Sequence, residues 1–420
     1  MHPAENRLFP DLVNDPPDPS AGIIVAVPCY NETGVTRLLD SLASCTPPRC
    51  GTEVLLIVNA PPHASKTALR NNALTINNVK RWQLENNSVF FRLYLLDTGQ
   101  PAYRKWGVGM ARKTGMDEAL SRFLQAGKPE GVIVSLDADC MVEKNYFKAI
   151  ESELLNRKDR KACSIFFSHP LEGDEYPREI YEAASRYELH LRYFYQGLRY
   201  TGFPWVFHTV GSCMAVKALS YQRAGGMNRR QAGEDFYFIQ KLVPAGGYFS
   251  LNSTTVYPSP RVSDRVPFGT GAAVTEMLEK GEESFLTYNP LAFDDLKKFF
   301  SAITNAGDIC LDELYRIYSG FPASVREFTG EDEWREKITG IKGNSSTPAA
   351  FNKRFFMWFN MFRMVKYLNF VHNRGFYKKL PPADAAETLL KMIGRTDSDN
   401  AKRNFTVYFR EMEKEIKIIS

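Results

Sequence analysis

The stretch Val132-Ile133-Val134-Ser135-Leu136-Asp137-Ala138-Asp139-Cys140 ends a short apolar run in two acidic residues. The run is rich in β-branched residues and predicts a buried strand. Open α/β sheets bind ligands at the carboxyl ends of such strands. Residues two apart on a strand point the same way, so Asp137 and Asp139 share one site if the strand continues through them. Two carboxylates there suit Mg²⁺ or Mn²⁺ carrying a phosphate, and the alternative is that both acids only start a turn.

Further apolar runs on both sides of this stretch alternate with helical patterns. Strands are predicted at 22–28, 53–59, 89–96, 162–167 and 209–216, and helices at 66–85, 108–124, 145–156, 176–200 and 234–242. This alternation predicts an α/β fold with a mostly parallel sheet and helices on both faces. Asn31, Asn59, Asp97 and Asp137 come at the ends of strands, so we expect them along one edge of the sheet.

Two common nucleotide-binding motifs do not occur in the sequence. The first strand is followed by Cys29-Tyr30-Asn31-Glu32-Thr33-Gly34, without the GxGxxG of dinucleotide-binding folds, and GxxxxGK[ST] is found nowhere. A Rossmann dinucleotide site and a P-loop are therefore not supported.

The composition limits the function class further. The chain has 420 residues, 44% of them hydrophobic, and a net charge of +5, which suits an anionic substrate but is too weak to indicate nucleic acid. Seven cysteines without a CxxC pair are typical of free thiols in a reducing compartment. Neither a signal-peptide pattern nor an apolar stretch of membrane-spanning length is present, so we expect a cytoplasmic protein.

Changes in pattern along the chain predict three parts. Residues 1–20 are rich in Pro and Asp and form a flexible or draped lead-in, residues 21–280 form the α/β domain, and residues 281–420 form a mainly helical region. Within the last part, residues 353–368 combine aromatic and basic side chains. Such a segment can lie on the inner face of a membrane or pack its apolar side onto protein, and we favour packing.

Three segments together resemble family 2 glycosyltransferases of the GT-A fold over residues 21 to about 275. They are Val25-Ala26-Val27-Pro28-Cys29-Tyr30-Asn31-Glu32, Asp137-Ala138-Asp139, and Gly225-Gly226-Met227 followed by Gly233-Glu234-Asp235. The resemblance implies a Rossmann-like GT-A sheet and transfer of a sugar from a nucleotide-diphosphate sugar to an acceptor hydroxyl. It also implies a divalent metal, Mn²⁺ or Mg²⁺, and inversion at the anomeric carbon. The QxxRW motif of processive synthases is missing, which favours one sugar per event, on a glycan or lipid-linked acceptor of cell-surface glycan synthesis.

The resemblance also implies roles for individual residues. Asp139 would bind the metal, and Asp137 would help to hold it or contact the ribose. Pro28, Tyr30, Asn31 and Glu32 would border the nucleobase and ribose. Asp97 either accepts a hydrogen bond from the base or sugar or is only a turn residue at a strand end.

The resemblance places the catalytic base in the pair Glu234 and Asp235, with Asp235 preferred. Adjacent helix residues point roughly 100° apart, so only one of the two can face the substrate squarely. The alternative is that both acids only cap the helix. Arg112 either contacts the diphosphate or the metal-side acids, or lies on a solvated face.

Residues 260–271 contain Arg261 and Arg265 and are dense in Gly and Pro. They form either a loop whose arginines pair with donor phosphates or a plain turn before the next helix. His372 is the only histidine after Asp235 and is more readily structural than a metal ligand.

Two other functions remain open from the sequence. A metal-dependent nucleotidyltransferase would normally carry a Gly- and Lys/Arg-rich loop after the first strand, which this chain lacks. A non-catalytic nucleotide-sugar-binding or scaffold protein on the same fold is the other alternative, although Asp137, Asp139 and Asp235 are all present.

Overall fold

The computed structural model describes residues 11–101, 106–229, 233–263, 269–304, 306–395 and 404–416. The chain divides into two compact units. The first comprises Met1–Ala184, Phe207–Thr275 and Glu413–Ser420, and the second comprises Ser185–Val206 and Glu276–Met412. The predicted boundaries at residues 20 and 280 stay predictions, because a compact unit is not by itself a domain that folds alone.

Eight strands of the described residues form one sheet in the first unit, in the order β3-β2-β1-β4-β7-β6-β8-β5. They are β1 (Ala21–Cys29), β2 (Gly51–Asn59), β3 (Phe91–Gly99), β4 (Val132–Ser135), β5 (Met141–Val142), β6 (Ala162–Phe167), β7 (Met214–Lys217) and β8 (Tyr248–Tyr257). The pairs β1–β2, β1–β4, β2–β3 and β6–β8 are parallel. Strand β7 runs antiparallel to β4 and β6, and β5 antiparallel to β8. Six strands therefore share one direction.

Helices occupy most of the remaining described chain. They are α1 (Val35–Ala43), α2 (Lys66–Glu85), α3 (Val108–Gln125), α4 (Tyr146–Ile150), α5 (Arg178–Tyr200), α6 (Ala218–Arg223), α7 (Glu234–Leu242), α8 (Thr270–Lys280), α9 (Pro290–Thr304), α10 (Leu311–Arg316), α11 (Ala323–Thr329), α12 (Glu331–Gly343), α13 (Pro348–Trp358), α14 (Met361–Asn373), α15 (Pro382–Met392) and α16 (Phe405–Lys414). No helix in these described ranges is long and apolar enough to cross a membrane.

The apolar runs of the sequence form the centre of the sheet. Every residue of β1, β4, β6 and β7 is buried, which requires protein on both faces of these strands. Helix α3 packs against β1, β2 and β4. The predicted fold class is thus confirmed: a mostly parallel α/β sheet with both faces covered, and a mainly helical C-terminal region.

Two of the differences between the structure and the predicted elements concern β7 and β8. The strand predicted at 209–216 is shorter, because β7 begins at Met214 and the residues before it form a turn. Strand β8 has no counterpart among the predicted strands. Its sequence Tyr-Phe-Ser-Leu-Asn-Ser-Thr-Thr-Val-Tyr mixes polar and apolar residues, and its six buried positions do not alternate along the strand.

Residues 11–20 lie against α3 and the sheet. The backbone N–H groups of Leu12 and Val13 donate to the carboxylate of Glu118 at 3.0 and 3.2 Å. The Asp15 carbonyl accepts from Arg122, which is itself paired with Glu53 at 2.5 Å. These contacts order an irregular segment by giving its backbone groups partners.

The second unit has an aromatic core. Phe299 packs edge-to-face against Phe321, Trp334, Phe355 and Phe359, with ring centroids 4.7–6.2 Å apart.

The segment 353–368 belongs to this second unit and is not one helix. Helix α13 ends at Trp358, and the side chain of Asn360 caps α14 by accepting from the Arg363 N–H at 3.2 Å. Most apolar side chains of the segment are buried within this unit, Met357 is exposed, and so are Lys353, Arg354 and Lys366.

Candidate active site

The candidate site lies at the carboxyl ends of β1 and β4. Strands β2 and β3 follow β1 on one side of the sheet, and the chain then crosses to the other side of β1 to form β4. The strand order therefore reverses between β1 and β4. Such a switch point leaves a crevice outside the strand ends, where ligands of open α/β sheets bind. Glu32 follows β1, and Asp137 and Asp139 follow β4.

The two aspartates occupy a turn and not a continued strand. Strand β4 ends at Ser135, and the N–H of Cys140 donates to the Asp137 carbonyl at 3.2 Å. The assumption that strand geometry continues through the two acids is therefore wrong. Both side chains are nevertheless partly exposed and ion-paired, whereas Leu136, Ala138 and Cys140 between and beside them are buried.

Arg112 joins three elements of the site. It lies in the first turns of α3, with its side chain only 4% exposed. Its Nη2 donates to Asp137 Oδ1 at 2.7 Å, and its Nη1 pairs with Glu234 at the start of α7. Burial alone would lower the pKa of Arg112, but the nearby carboxylates of Asp137 and Asp235 outweigh burial and raise the pKa. Arg112 is therefore a fixed positive charge, and the interpretation of a solvated face is wrong.

Gly211 makes room for this arginine. The antiparallel register pairs Met214, the first residue of β7, with Ser135, the last residue of β4. Gly211, three residues before β7, thus lies at the same edge as the acidic turn. A Cβ at this position would lie 2.7 Å from Arg112 Nη1, which no side chain tolerates without displacement. The absence of a side chain at Gly211 thus allows the close approach of the Arg112 guanidinium.

Asp235 differs from its neighbour Glu234. Glu234 is 1% exposed and paired with Arg112, while Asp235 is partly exposed. Burial raises the pKa of Asp235, the charge of Arg112 lowers it, and the charge of Asp137 raises it further, with a net increase. The backbone N–H groups of Phe236, at 2.7 Å, and of Gly211 donate to its carboxylate. A partly exposed carboxylate with a raised pKa can accept a proton near neutral pH, and a buried, paired one cannot.

Arg261 holds the second aspartate. It follows β8 by four residues, and β8 runs in the same direction as β1 and β4, so it reaches the same edge. Its Nε and Nη2 donate to Asp139 Oδ2 at 3.1 and 2.8 Å, and Nη2 also pairs with Glu32. Burial would lower the pKa of Arg261, and the carboxylates of Asp139 and Glu32 raise it overall.

Helix α2 fixes the backbone after β1. Asn31 has a φ of 52°, a left-handed conformation that asparagine tolerates better than most residues. Its N–H donates to the side chain of Asn72 at 2.9 Å, and its side chain accepts from Asn71 at 2.8 Å. Thr75 Oγ1 donates to the Glu32 carbonyl at 2.6 Å. This network sets the direction in which the Glu32 side chain leaves β1.

The end of β2 belongs to the same network. Asn59 accepts from the indole N–H of Trp106 at 2.8 Å and donates to the Cys29 carbonyl at 3.0 Å. Asn72 donates to the Asn59 carbonyl at 2.8 Å. The ends of β1 and β2 are thus held rigidly together.

The other residues predicted to bind the sugar donor are not part of the ion pairs described above. Pro28 is buried inside β1 opposite Ile57, and Tyr30 is half-buried just after the strand. Asp97 is exposed near the end of β3 and accepts from the N–H of Gly99 at 2.9 Å, as a turn residue does. Arg265 lies outside the described residues.

Three histidines of the described chain, His169, His208 and His372, make structural contacts. His169 is hydrogen-bonded to Thr270 at 3.0 Å, and His208 contacts Glu413 at 3.0 Å. His372 belongs to the second unit. Its Nε2 accepts from the Asn289 N–H at 2.9 Å, and its other ring nitrogen lies 2.6 Å from the Leu368 carbonyl.

The carboxylates of the site are possible ligands of a divalent metal. Among the described residues, no group of three or more His, Cys, Asp or Glu side chains forms a ready metal cage. However, Glu32 and Asp139 both contact Nη2 of Arg261, so two carboxylates that follow neighbouring strand ends approach the same point of the site. Mg²⁺ commonly binds through one or two carboxylates and completes its shell with substrate phosphates and water. The residues present therefore fit such a metal as a partial ligand set.

Sequence reasoning missed two features of this site. The pairing of Arg261 with Glu32 and Asp139 joins residues 229 and 122 positions apart, and no local pattern indicates it. The asparagines of α2 looked like polar surface residues, and only their place beside a strand end gives them a role.

No protein-family model matches the sequence. No curated protein matches it either. Solved structures do match in part. S. aureus TarS 1–349 in complex with UDP-GlcNAc is 14% identical, with 79% of this chain and 89% of that chain covered and a TM-score of 0.39.

Two further solved structures match with similar identities and TM-scores. Mannosyltransferase PcManGT from Pyrobaculum calidifontis, in complex with GDP-Man and Mn²⁺, is 14% identical, with 96% and 89% covered and a TM-score of 0.35. Glucosyl-3-phosphoglycerate synthase from Mycobacterium tuberculosis, in complex with Mn²⁺, UDP-glucose and phosphoglyceric acid, is 13% identical, with 62% and 78% covered and a TM-score of 0.34. Identities and TM-scores this low do not assign a function to this chain.

Proposed function

We propose that this protein is a GT-A glycosyltransferase of the family 2 type. It moves one sugar from a nucleotide-diphosphate sugar to an acceptor hydroxyl, with inversion. The observation that carries the proposal is the joining of Asp137 to the Glu234-Asp235 pair through the buried Arg112, at the switch point of the sheet. The acidic turn and the Glu-Asp helix start belong to two of the three segments of the family resemblance, and they meet in one site.

Asp235 is the proposed catalytic base. It accepts the proton of the acceptor hydroxyl as the hydroxyl oxygen attacks the anomeric carbon and the bond to the diphosphate breaks. Its raised pKa brings the carboxylate closer to the pH at which a base works well. Glu234 is held by Arg112 and serves to position α7. One base suffices, because direct displacement needs no enzyme nucleophile, unlike retaining glycoside hydrolysis.

The donor lies along the strand ends in this proposal. Asn31, Glu32 and Asp97 border the nucleobase and ribose, with Pro28 and Tyr30 beside them, and Arg265 contacts phosphate oxygens. Asp139 and Asp137 would hold Mn²⁺ or Mg²⁺, which supplies positive charge for the diphosphate leaving group. Among the described residues of the site, Glu32, Asp137, Asp139, Glu234 and Asp235 outnumber Arg112 and Arg261, so added positive charge would favour an anionic donor.

The first test is nucleotide binding. UDP, GDP, CDP and dTDP are each added with and without Mn²⁺ or Mg²⁺, and the thermal midpoint is measured. A ligand that binds only the folded state raises the midpoint by mass action. We expect one nucleotide to raise it strongly, and only with metal. A null result with all four would contradict the proposal.

The second test separates an enzyme from a binding protein. Asp235→Asn should keep metal-dependent nucleotide binding and lose release of the nucleoside diphosphate from its sugar donor by roughly 10²–10⁴-fold, the usual contribution of a general base. Asp159→Asn, an exposed acid paired only with Arg157, is the matched control. Nucleotide binding without any turnover in the wild type would favour the non-catalytic alternative.

The acceptor is proposed by class only. It is a glycan or lipid-linked precursor of cell-surface glycan synthesis. The missing QxxRW motif of processive synthases favours transfer of one sugar per event to such an acceptor. An assay with lipid-linked and soluble glycan acceptors, supplied with the donor that the first test identifies, distinguishes the two.

A further inference from the structure

Arg261 occupies a different kind of position from Arg112. The Arg112 side chain is 4% exposed and pairs with one carboxylate on each of two elements. The Arg261 side chain is 24% exposed, and its carboxylate partner Asp139 is 20% exposed. Arg261 can therefore leave its partners without disturbing the core, whereas Arg112 cannot.

Both carboxylates held by Arg261 converge on its guanidinium group. The single nitrogen Nη2 contacts Glu32 Oε2 and Asp139 Oδ2, and Nε adds a second contact to Asp139. These oxygens come from the ends of β1 and β4, on the two sides of the switch point. A divalent cation at Asp139 would take the place that this guanidinium group holds.

We propose that Arg261 is an exchangeable counter-ion of the donor site. It neutralises Glu32 and Asp139 when no donor is bound, and it moves to the donor diphosphate when a divalent cation takes over these two carboxylates. This inference rests on the proposed function, and it adds Glu32 to the residues that face the cation.

The charges explain why metal and nucleotide bind together. A metal ion alone must displace Arg261 and leave a guanidinium group without its carboxylates. A nucleoside diphosphate alone meets an edge whose described residues include more carboxylates than arginines. When both arrive, the metal neutralises Glu32 and Asp139, and Arg261 regains anionic partners on the phosphates, with which guanidinium forms strong bidentate hydrogen bonds. Each ligand then raises the affinity for the other by the same factor.

The test compares wild type with Arg261→Gln in two titrations. Mn²⁺ alone is titrated by electron paramagnetic resonance of the free ion, and UDP and GDP are titrated by calorimetry at saturating Mn²⁺. We expect Arg261→Gln to bind Mn²⁺ alone more tightly and the nucleotide more weakly, each by roughly tenfold, the scale of one partly buried charge pair. Opposite changes in the two affinities are a signature that simple loss of structure does not produce.

Two further variants sharpen the result. Arg261→Lys keeps a positive charge but loses the fork that reaches both carboxylates, so its Mn²⁺ affinity should lie between those of wild type and Arg261→Gln. Arg157→Gln removes an exposed arginine paired with Asp159 and should leave both affinities unchanged. Circular dichroism confirms that each variant is folded.

The outcomes separate the two proposals. Unchanged or weaker binding of Mn²⁺ alone by Arg261→Gln overturns the counter-ion role, whatever the nucleotides do. Failure of wild type to bind UDP, GDP, CDP or dTDP with metal overturns the proposed function instead, and the Mn²⁺ titration still decides whether Arg261 competes with a cation.

Discussion

At the scale of single residues, Glu234 and Asp235 show how neighbours acquire different chemistry. They are adjacent in α7, so their side chains point about 100° apart. Glu234 turns into the protein and pairs with Arg112, while Asp235 turns toward the edge of the sheet and keeps a raised pKa. The family resemblance prefers Asp235 as the base, and the two environments supply a physical reason for that preference.

Asp235→Asn should stabilise the protein at neutral pH. Because burial raises the pKa of Asp235, the ionised carboxylate is less favourable in the folded than in the unfolded chain. Removing the charge should raise the free energy of unfolding at pH 7 by about 0.5–2 kcal/mol, a usual gain at a functional site. Denaturant unfolding of both proteins across pH measures it.

The sign of the pH dependence provides the check. The penalty on wild type appears as pH rises through the unfolded pKa of about 3.9 and is complete above the raised folded pKa. The stability difference between the variant and wild type should therefore shrink as the pH falls toward 3.9. A variant less stable than wild type at pH 7 would show that the carboxylate is a net stabilising group.

Glu234→Gln should have the opposite effect on stability. It leaves the buried Arg112 with less compensating charge, and we expect a loss of about 1–3 kcal/mol. Glu182→Gln is the matched control, because Glu182 pairs with Arg178 on the exposed side of a helix and should matter by less than about 0.5 kcal/mol. Equal losses for the two variants would contradict the role assigned to Arg112.

Residue identities in the site were predictable to different degrees. Asp137, Asp139 and Asp235 were found because each belongs to a short motif that can be read locally. Glu32 was found as a neighbour of the first strand, but its pairing with Arg261 depends on the relative position of β1 and β8. A single sequence does not give that position.

At the scale of elements, the site depends on how closely α3 approaches the turn before β7. Gly211→Ala should weaken this contact, because the new Cβ would meet the Arg112 guanidinium at 2.7 Å. We expect a loss of stability of about 1–3 kcal/mol, as for other overpacked sites. We also expect slower turnover, because the Gly211 N–H contacts Asp235. Unfolding curves and the nucleotide-release assay measure the two effects.

The matched control for this variant is Gly340→Ala. Gly340 lies inside α12, and a Cβ there meets no atom within 4 Å. The substitution should stabilise the helix by roughly 0.5–1 kcal/mol, since alanine loses less conformational freedom than glycine. If Gly211→Ala also raises the free energy of unfolding, the Arg112 side chain moves aside at little cost. The close contact between Gly211 and Arg112 is then not required for stability.

The predicted elements were most accurate where the hydrophobic pattern is strong. Helices α2 and α7 and strand β6 have the predicted bounds. Strand β8 was missed because its Ser, Asn and Thr residues interrupt the apolar pattern, and β4 was drawn too long because Leu136 extends the apolar run into the turn. Both errors lie beside the site, where polar residues and turns are required.

At the scale of the whole molecule, the sequence predicted the layer arrangement but not the strand order. Alternating strands and helices predict a parallel sheet, and six of the eight strands run in one direction, as found within the described residues. The reversed strand β7 brings Gly211 to the carboxyl edge, and β8 brings Arg261 there. These two placements follow from long-range pairing, which no local pattern encodes.

The seven cysteines give a test of the fold as a whole. All are free thiols, and Cys310 is the exposed one. Burial raises the pKa of Cys45 and of Cys163 to about 12, and burial together with the charge of Glu151 raises that of Cys50 to about 11, so thiolate is scarce at pH 8. We expect a disulfide reagent to modify one thiol rapidly in the native protein and all seven in denaturant.

Variants identify the rapid thiol. Cys310→Ser should remove the fast phase, and Cys50→Ser, at a half-buried position, should leave it in place. A reductant should not change the thermal midpoint, because no disulfide links these seven residues. Several fast thiols in the native protein would mean that the strands carrying Cys29 and Cys163 open readily, which contradicts a sheet covered on both faces.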